Sequence, residues 1–350
     1  MAKCNVNTNE RFADIQMLRY ELKGFEDLSL NQKLYIFCLA KATLMGRDIT
    51  FDQQGKYNLR IRKTLETVYL HYEGDRECEE FKAFEVYLKR IWFASGIHHH
   101  YGCEKFKPGF SEEYFYHLLE NIGEELLPIK RGETKEDLMR QLESILFDPV
   151  VMPKRVNQTD GEDLVQTSAC NFYEDVTQEE VERFYAKMKN TDNPNPPSYG
   201  LNSKLTKRNN EVVELTWKED GLYGETIREI VSWLLKAQKY AENEGQKHVI
   251  DLLVKFYRTG SLEDFDRYSI AWVEQHEGLV DFINGFIEVY GDPLGMKGTW
   301  EGIVEYKDLE ATKRTQTISQ NAQWFEDHSP VAPRFRKPEV KGVTANVICA

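Results

Sequence analysis

The sequence predicts an α+β fold, mainly helical, with a small antiparallel β-barrel or sheet. Three observations carry this reading. Apolar residues recur at helical spacing up to Asn190 and again from Glu225 to Gln275. The run Thr191-Asp192-Asn193-Pro194-Asn195-Pro196-Pro197 is too rich in proline to continue a helix. Beyond it the period changes to alternation, and a second stretch rich in β-branched and aromatic residues, Phe286 to Tyr290, follows the later helices.

Composition bounds the class. A chain of 350 residues with 41% hydrophobic and 12% aromatic residues can bury a sizeable core, in one large domain or two. Lys and Arg number 45 against 58 Asp and Glu, a net charge of −13 that opposes nucleic-acid phosphates. Nucleic acid is therefore not expected as a partner. Cys4, Cys38, Cys78, Cys103, Cys170 and Cys349 show no CxxC spacing, which argues against a zinc ribbon or a disulfide framework. Met1 to Asn5 contains no apolar leader core, and no run is long enough to span a bilayer. A cytoplasmic location is expected; an exported mature form with a replaced leader is the alternative.

The elements follow in order. Asn9 to Leu22 has helical spacing, with Phe12, Ile15, Leu18 and Leu22 as its stripe. Asn31 to Leu44 is a second helix carrying Leu34, Phe37, Leu39 and Leu44, with Ser29 as N-cap and Gly46 as its stop. Asp48 to Asn58 reads as a polar loop. From Leu59 a helix places Ile61, Leu65, Val68 and Tyr69 inward, and Phe81 to Phe93 repeats this with Phe84, Leu88, Ile91 and Trp92. Ser111 to Leu127 starts on a serine cap followed by Glu112 and Glu113, which suit the helix dipole. Thr134 with Asp137, and Thr177 with Glu180, open further helices on capping-box patterns. Pro153 to Cys170 between them is loop-like. Ser198 to Leu205 and Glu211 to Trp217 alternate and read as a hairpin turned by Lys207-Arg208-Asn209-Asn210. Glu225 to Ala241, His248 to Tyr257 and Leu262 to Gln275 are helical, Trp300 to Tyr306 is β, and Leu309 to Phe325 is one exposed helix.

The segment Gly96-Ile97-His98-His99-His100-Tyr101-Gly102 invites a metal reading. Adjacent side chains diverge, and the other histidines form no His-x-x-x-His pair, so partners for an ion are lacking. A glycine-flanked loop that hydrogen-bonds its surroundings and tunes a cleft is favoured.

Gly285-Phe286-Ile287-Glu288-Val289-Tyr290-Gly291-Asp292-Pro293-Leu294-Gly295 is a short strand ending in a Gly-Asp-Pro turn. Regular alternation sends Ile287 and Val289 one way and Phe286, Glu288 and Tyr290 the other, with the carboxylate and phenol roughly 6–7 Å apart. Such a pair can hold an ammonium group through charge and a hydroxyl hydrogen bond. The residues alone also fit the solvated face of an edge strand.

This segment, with Trp272-Val273 before it and Trp300-Glu301-Gly302 after it, resembles the dipeptidyl peptidase III family. The similarity extends to Arg11-Phe12-Ala13-Asp14-Ile15-Gln16, to Gly55-Lys56-Tyr57-Asn58-Leu59-Arg60-Ile61-Arg62 and to Asn321-Ala322-Gln323-Trp324-Phe325-Glu326-Asp327-His328-Ser329-Pro330, and it is greatest to bacterial members. The resemblance implies a two-lobed zinc peptidase that removes dipeptides from the N-terminus of short peptides. It implies that Glu288 and Tyr290 hold the substrate's free amino end. Trp272 matches a family tryptophan near the substrate strand, and Glu301 is a candidate to extend the acidic lining.

The family's zinc motifs, His-Glu-x-x-x-His and Glu-Glu-x-x-x-Glu, do not occur in the chain. His276-Glu277 is followed by Gly278-Leu279-Val280-Asp281, with no second histidine in register. By resemblance the chain is expected to be the N-terminal part of the enzyme. Residues 1–190 would form a mainly helical part of the lower lobe. Residues 191–308 would supply its hairpin, helices and substrate strand, and 309–350 the first helix and linker of an incomplete upper, zinc-carrying lobe. The expected partners are short peptides with a free N-terminus and a missing C-terminal catalytic half. Zinc belongs to the longer family member; this chain is expected to bind none, to hold no catalytic residue and to be inactive alone. The alternative is a non-catalytic peptide-binding module that keeps the clamp without hydrolysis. A different hydrolase built on the histidine loop is a weaker third reading.

Overall fold

The computed structural model describes residues 10–18, 21–189, 192–340 and 348–349. The expectations placed on Met1 to Asn5, on Cys4, Asn9, Asn190 and Thr191, and on the tail from Val343 to its last residues before Ile348 lie outside the described residues.

The first described element is a two-stranded hairpin, β1 (Arg11–Phe12) with β2 (Ile15–Gln16), where the sequence predicts a helix over Asn9 to Leu22. Ala13 takes a positive φ of 50° at the turn, and Leu18 and Leu22 stay exposed, so the predicted stripe has no core to enter. Helix α1 (Leu30–Met45) begins on the expected Ser29, whose hydroxyl accepts from the Gln32 amide in a full capping box. Its buried face is Tyr35, Cys38, Leu39 and Ala42; Phe37 and Leu44 face outward, because apolar residues surround this helix and periodicity does not single out one side.

A short helix α2 (Arg47–Gln53) replaces the expected polar loop, burying Ile49 and Phe51. Then come α3 (Asn58–His71), α4 (Glu79–Ala94), α5 (Glu112–Glu120) and α6 (Lys135–Phe147). The helix expected over Ser111 to Leu127 stops at Asn121, and a 3₁₀ turn, Glu124–Leu126, follows Gly123. These four helices share a core of Phe81, Phe84, Leu88, Phe115, Leu138 and Leu142, to which Phe51 also belongs.

Strand β3 (Tyr173–Glu174), helix α7 (Gln178–Ala186) and the hairpin β4 (Ser203–Arg208)–β5 (Glu211–Thr216) come next. Asn209 and Asn210 make the turn with φ of 48° and 65°, the left-handed pair that asparagine tolerates. Strand β3 adds in parallel to β4. Helices α8 (Gly224–Gln238), α9 (Glu244–Thr259) and α10 (Leu262–Glu274) precede a long antiparallel pair, β6 (Val280–Glu288) and β7 (Thr299–Lys307). Helices α11 (Leu309–Gln320) and α12 (Ala322–Asp327) break the single helix expected there at Asn321, and β8 (Ile348–Cys349) pairs with the end of β7. The fold is mainly helical with small sheets, and among the described residues none closes into a barrel. No helix among them is long and apolar enough to cross a membrane.

The second core joins α1, α7 to α9 and the sheets through Tyr35, Leu205, Trp217, Leu253, Phe286 and Trp300. It brings α1 onto β7. Gly46 lies so close to the Trp300 indole that a β-carbon there would overlap the ring. Gln53, fully buried, ties α2 to the start of β7: its amide donates to the Gly298 carbonyl at 3.1 Å and accepts from the Trp300 amide at 2.8 Å.

The turn between β6 and β7 is fastened from inside. Asp292 is 1% exposed, and its carboxylate accepts from the amides of Leu294 (3.2 Å), Met296 (2.8 Å) and Lys297 (2.8 Å) and from the Tyr173 hydroxyl (2.9 Å). Lys297 is fully buried, and its ammonium donates to the Tyr185 hydroxyl at 2.5 Å, the Gly200 carbonyl at 3.2 Å and the Ser203 hydroxyl at 3.2 Å. Tyr185 and Ser203 both donate to Glu214 at 2.6 Å. Burial pushes the Lys297 pKa down to about 8, against the pull of the Glu214 and Asp292 charges.

Two outcomes follow from this packing. Gly46→Ala should cost about 1–3 kcal/mol in urea unfolding, because a β-carbon must displace the Trp300 ring; an unchanged midpoint contradicts the packing. Lys297 surrenders its proton more readily folded than unfolded, so between about pH 8 and its ordinary value of 10.5 the unfolded chain holds more protons. Its contribution to stability therefore rises with pH in that window and is flat below it. The stability difference between wild type and Lys297→Met should grow by about 1.5 kcal/mol from pH 8 to 9.5. A pH-independent difference contradicts the buried ammonium.

Candidate functional site

Strand β6 does not keep regular alternation to its end. Phe286 pairs with Trp300 and Glu288 with Thr299, so two steps on β6 match one on β7 and Ile287 is an extra residue, a β-bulge. The consequence corrects the alternation expected from sequence. Phe286 enters the core with Trp300, while Glu288 moves to the opposite face, beside Thr299 and on the same side as Glu301. Tyr290 lies past the strand in the turn and is 74% exposed. Among the described residues neither Glu288 nor Tyr290 makes a side-chain hydrogen bond, so both are free to take a ligand.

Both line one cleft of about 850 Å³. One wall is the turn from Glu288 to Gly295; the facing wall is Gly102, Cys103, Lys154, Val156 and Thr159. A second cavity of about 630 Å³ adjoins it, sharing Lys154 and Thr159 and bounded further in by Lys56, Asn171 and Tyr173.

Glu301 stands across from Gly285, where no side chain crowds it. Its pKa is raised, first by burial and then by the Glu288 charge. The structure thus brings Glu288, Tyr290 and Glu301 to one end of the sheet. The pair of carboxylates makes that end a favourable place for a cation.

Trp272 is not part of this group. It sits on α10, and its indole N–H donates to the Phe282 carbonyl at 2.9 Å and to the Asp281 carboxylate at 3.2 Å. Asp281 and Glu288 are separated by seven strand steps, about 23 Å at ordinary rise. Trp272 fixes the opposite end of β6 and borders a different, water-sized cavity.

Of the histidine segment only Gly102 lines the cleft, and none of His98, His99 and His100 does, so the expectation that these imidazoles tune the cleft is not met by direct contact. His98 is buried, its Nε2 is 2.9 Å from the Met152 carbonyl, and burial holds its pKa down to about 4. The Nδ1 of His99 accepts from the amides of Tyr101 and Gly102, and its ring stacks on His100 at 4.4 Å. Gly102 and Cys103, which follow, form part of the cleft wall. Among the described residues no three His, Cys, Asp or Glu side chains are arranged to hold a metal ion. The donor set for the zinc that the resemblance implies is thus not found in the described part of this chain.

Sequence reasoning missed the residues that hold the turn. Asp292 carried a signal, since aspartate before proline favours turns in which its carboxylate accepts nearby amides. Lys297, Tyr173 and Gln53 carried none, because lysine and glutamine are ordinarily exposed and their partners are distant in sequence.

Comparison with known proteins agrees with this architecture. Residues 169–342 match the model of peptidase family M49. Dipeptidyl peptidase 3 of Rattus norvegicus is 25% identical over 354 aligned residues, covering 90% of this chain and 47% of that protein. The Homo sapiens protein of the same name is 23% identical with the same coverage. The structure of DPP III from Caldithrix abyssi superposes with a TM-score of 0.60 at 16% identity, over 91% of this chain and 47% of that one. The chain spans about half the length of the curated relatives it matches. The family-model match, the similar proteins and the superposed structure together support one assignment, to the dipeptidyl peptidase III family, peptidase family M49.

Proposed function

We propose that this chain is the substrate-anchoring part of a zinc-dependent dipeptidyl peptidase and that Glu288 and Tyr290 hold the free amino end of a short peptide. The observation that carries the reading is their shared exposure at the rim of one cleft, on the face to which the bulge turns Glu288. The peptide ammonium would pair with the Glu288 carboxylate and donate a hydrogen bond to the Tyr290 hydroxyl oxygen, with Glu301 adding negative potential behind them. Holding the ammonium at a fixed place sets the distance from the first residue to any bond cut further along, which is how such a site would measure out a dipeptide.

Residues from Leu309 onward fit the start of a second lobe. Helices α11 and α12 bury no residue, and Leu309, Ile318, Trp324 and Phe325 are each more than half exposed. The histidine loop contributes to this reading only through Gly102, its last residue, in the cleft wall. The peptide-binding module without hydrolysis shares the clamp and differs in chemistry, and the lack of the His-Glu-x-x-x-His motif in the 350 residues favours it for the chain by itself.

Isothermal titration of the 350-residue chain with tetra-alanine and with its N-acetylated form tests the clamp. The free amine should bind more tightly, and Glu288→Gln should weaken it by about 1.5–3 kcal/mol while leaving the acetylated peptide unaffected. Tyr290→Phe should cost less, since only a hydroxyl is lost. Equal binding of the two peptides by wild type removes the role. The same polypeptide should contain no stoichiometric zinc and should not hydrolyse a dipeptidyl-naphthylamide. Stoichiometric zinc that disappears in His99→Ala would instead assign a metal to the histidine loop.

A further inference from the structure

We propose that Asp292 and Tyr173, together with Lys297, are positioning residues that set the pose of the Glu288–Tyr290 clamp without touching the ligand. The proposal rests on the clamp reading above and extends it to residues inside the molecule.

Glu288 and Tyr290 make no side-chain hydrogen bond among the described residues, and Tyr290 has left the β6–β7 ladder. With no side-chain partner restraining them, what the rest of the fold sets is the backbone from which these two side chains project. On the strand side that backbone is held by the Phe286–Trp300 pair and, at Glu288 itself, by the pairing with Thr299. Past Tyr290 the next fixed point is two residues on, at Asp292. Its amide closes the turn to the Val289 carbonyl at 3.0 Å, and its carboxylate gathers the amides of Met296 and Lys297. The loop is thereby closed on itself.

What orients this closed loop comes from other elements. The Tyr173 hydroxyl, from β3, donates to Asp292 at 2.9 Å. The Lys297 ammonium reaches Tyr185 of α7 and the Gly200 carbonyl and Ser203 hydroxyl at the start of β4. Its charge also lies over the rings of Tyr185 and Tyr173, at 4.7 and 5.4 Å. Buried polar groups so fully satisfied admit few alternative arrangements. Tyr173 has a second boundary, the wall of the 630 Å³ cavity that adjoins the clamp cleft.

A purely structural network would affect stability alone. The test measures, by isothermal titration on the 350-residue chain, the ratio of dissociation constants for N-acetyl tetra-alanine over tetra-alanine. All variants are compared at a temperature where circular dichroism shows them folded. Tyr173→Phe deletes one hydroxyl and should lower the ratio about threefold, and Asp292→Asn about tenfold or more. Leu142→Ala, in the other core, is the control: it should lower the melting temperature and leave the ratio at the wild-type value. If Tyr173→Phe and Asp292→Asn are folded and keep the wild-type ratio, the positioning role is overturned while the clamp stands. If wild type shows no preference for the free amine, the clamp itself falls and the positioning role with it.

Discussion

In the β6–β7 ladder Phe286 faces Trp300 and Glu288 faces Thr299, and the residue between them, Ile287, has no partner. That irregularity separates two demands that a regular strand could not meet together. Phe286 is needed in the core, where it packs against Trp217 at 4.7 Å between ring centres. Glu288 is needed in solvent, since an unpaired carboxylate in that core would carry a heavy desolvation cost. With strict alternation both would lie on one face. The extra residue turns the carboxylate outward, toward Thr299 and Glu301, and so creates the acidic end of the sheet.

The second requirement is a turn stiff enough to present Tyr290. Here the molecule relies on buried polar chemistry rather than on apolar packing. Asp292 and Lys297 lie five residues apart, both buried, each surrounded by partners from several parts of the chain. Removing one member of such a set leaves a buried charge unmatched, a larger loss than the set's own net contribution to stability. The arrangement links β3, α7 and β4 to the turn, and Gln53 links α2 to the strand that leaves it. The helical part and the sheets thus meet at the β6–β7 turn.

Much of this fold is legible in the sequence because local chemistry dictates it. Ser29, Ser111, Thr134 and Thr177 each cap the helix expected of them, and Asn209-Asn210 make the hairpin turn that their tolerance of positive φ allows. Legibility fails where distant partners decide. The inner face of α1 is set by what packs on it, not by a stripe, and α2 is too short for periodicity to reveal. The bulge at Ile287 depends on the register with β7, which no single-strand pattern encodes. Glu288, Tyr290 and Glu301 come together because two adjacent strands carry them; Trp272, equally close in sequence to β6, is joined to its other end. Lys297 looks like any surface lysine until Tyr185, Gly200 and Ser203 surround it.

The most direct measurement is a crystal structure of this chain with a tetrapeptide bearing a free amino terminus. The peptide nitrogen should lie about 3 Å from both the Glu288 carboxylate and the Tyr290 hydroxyl, with the peptide running along the cleft toward Gly102 and Lys154. A peptide bound with its amino end elsewhere, or a Glu288 side chain turned toward the core, would contradict it.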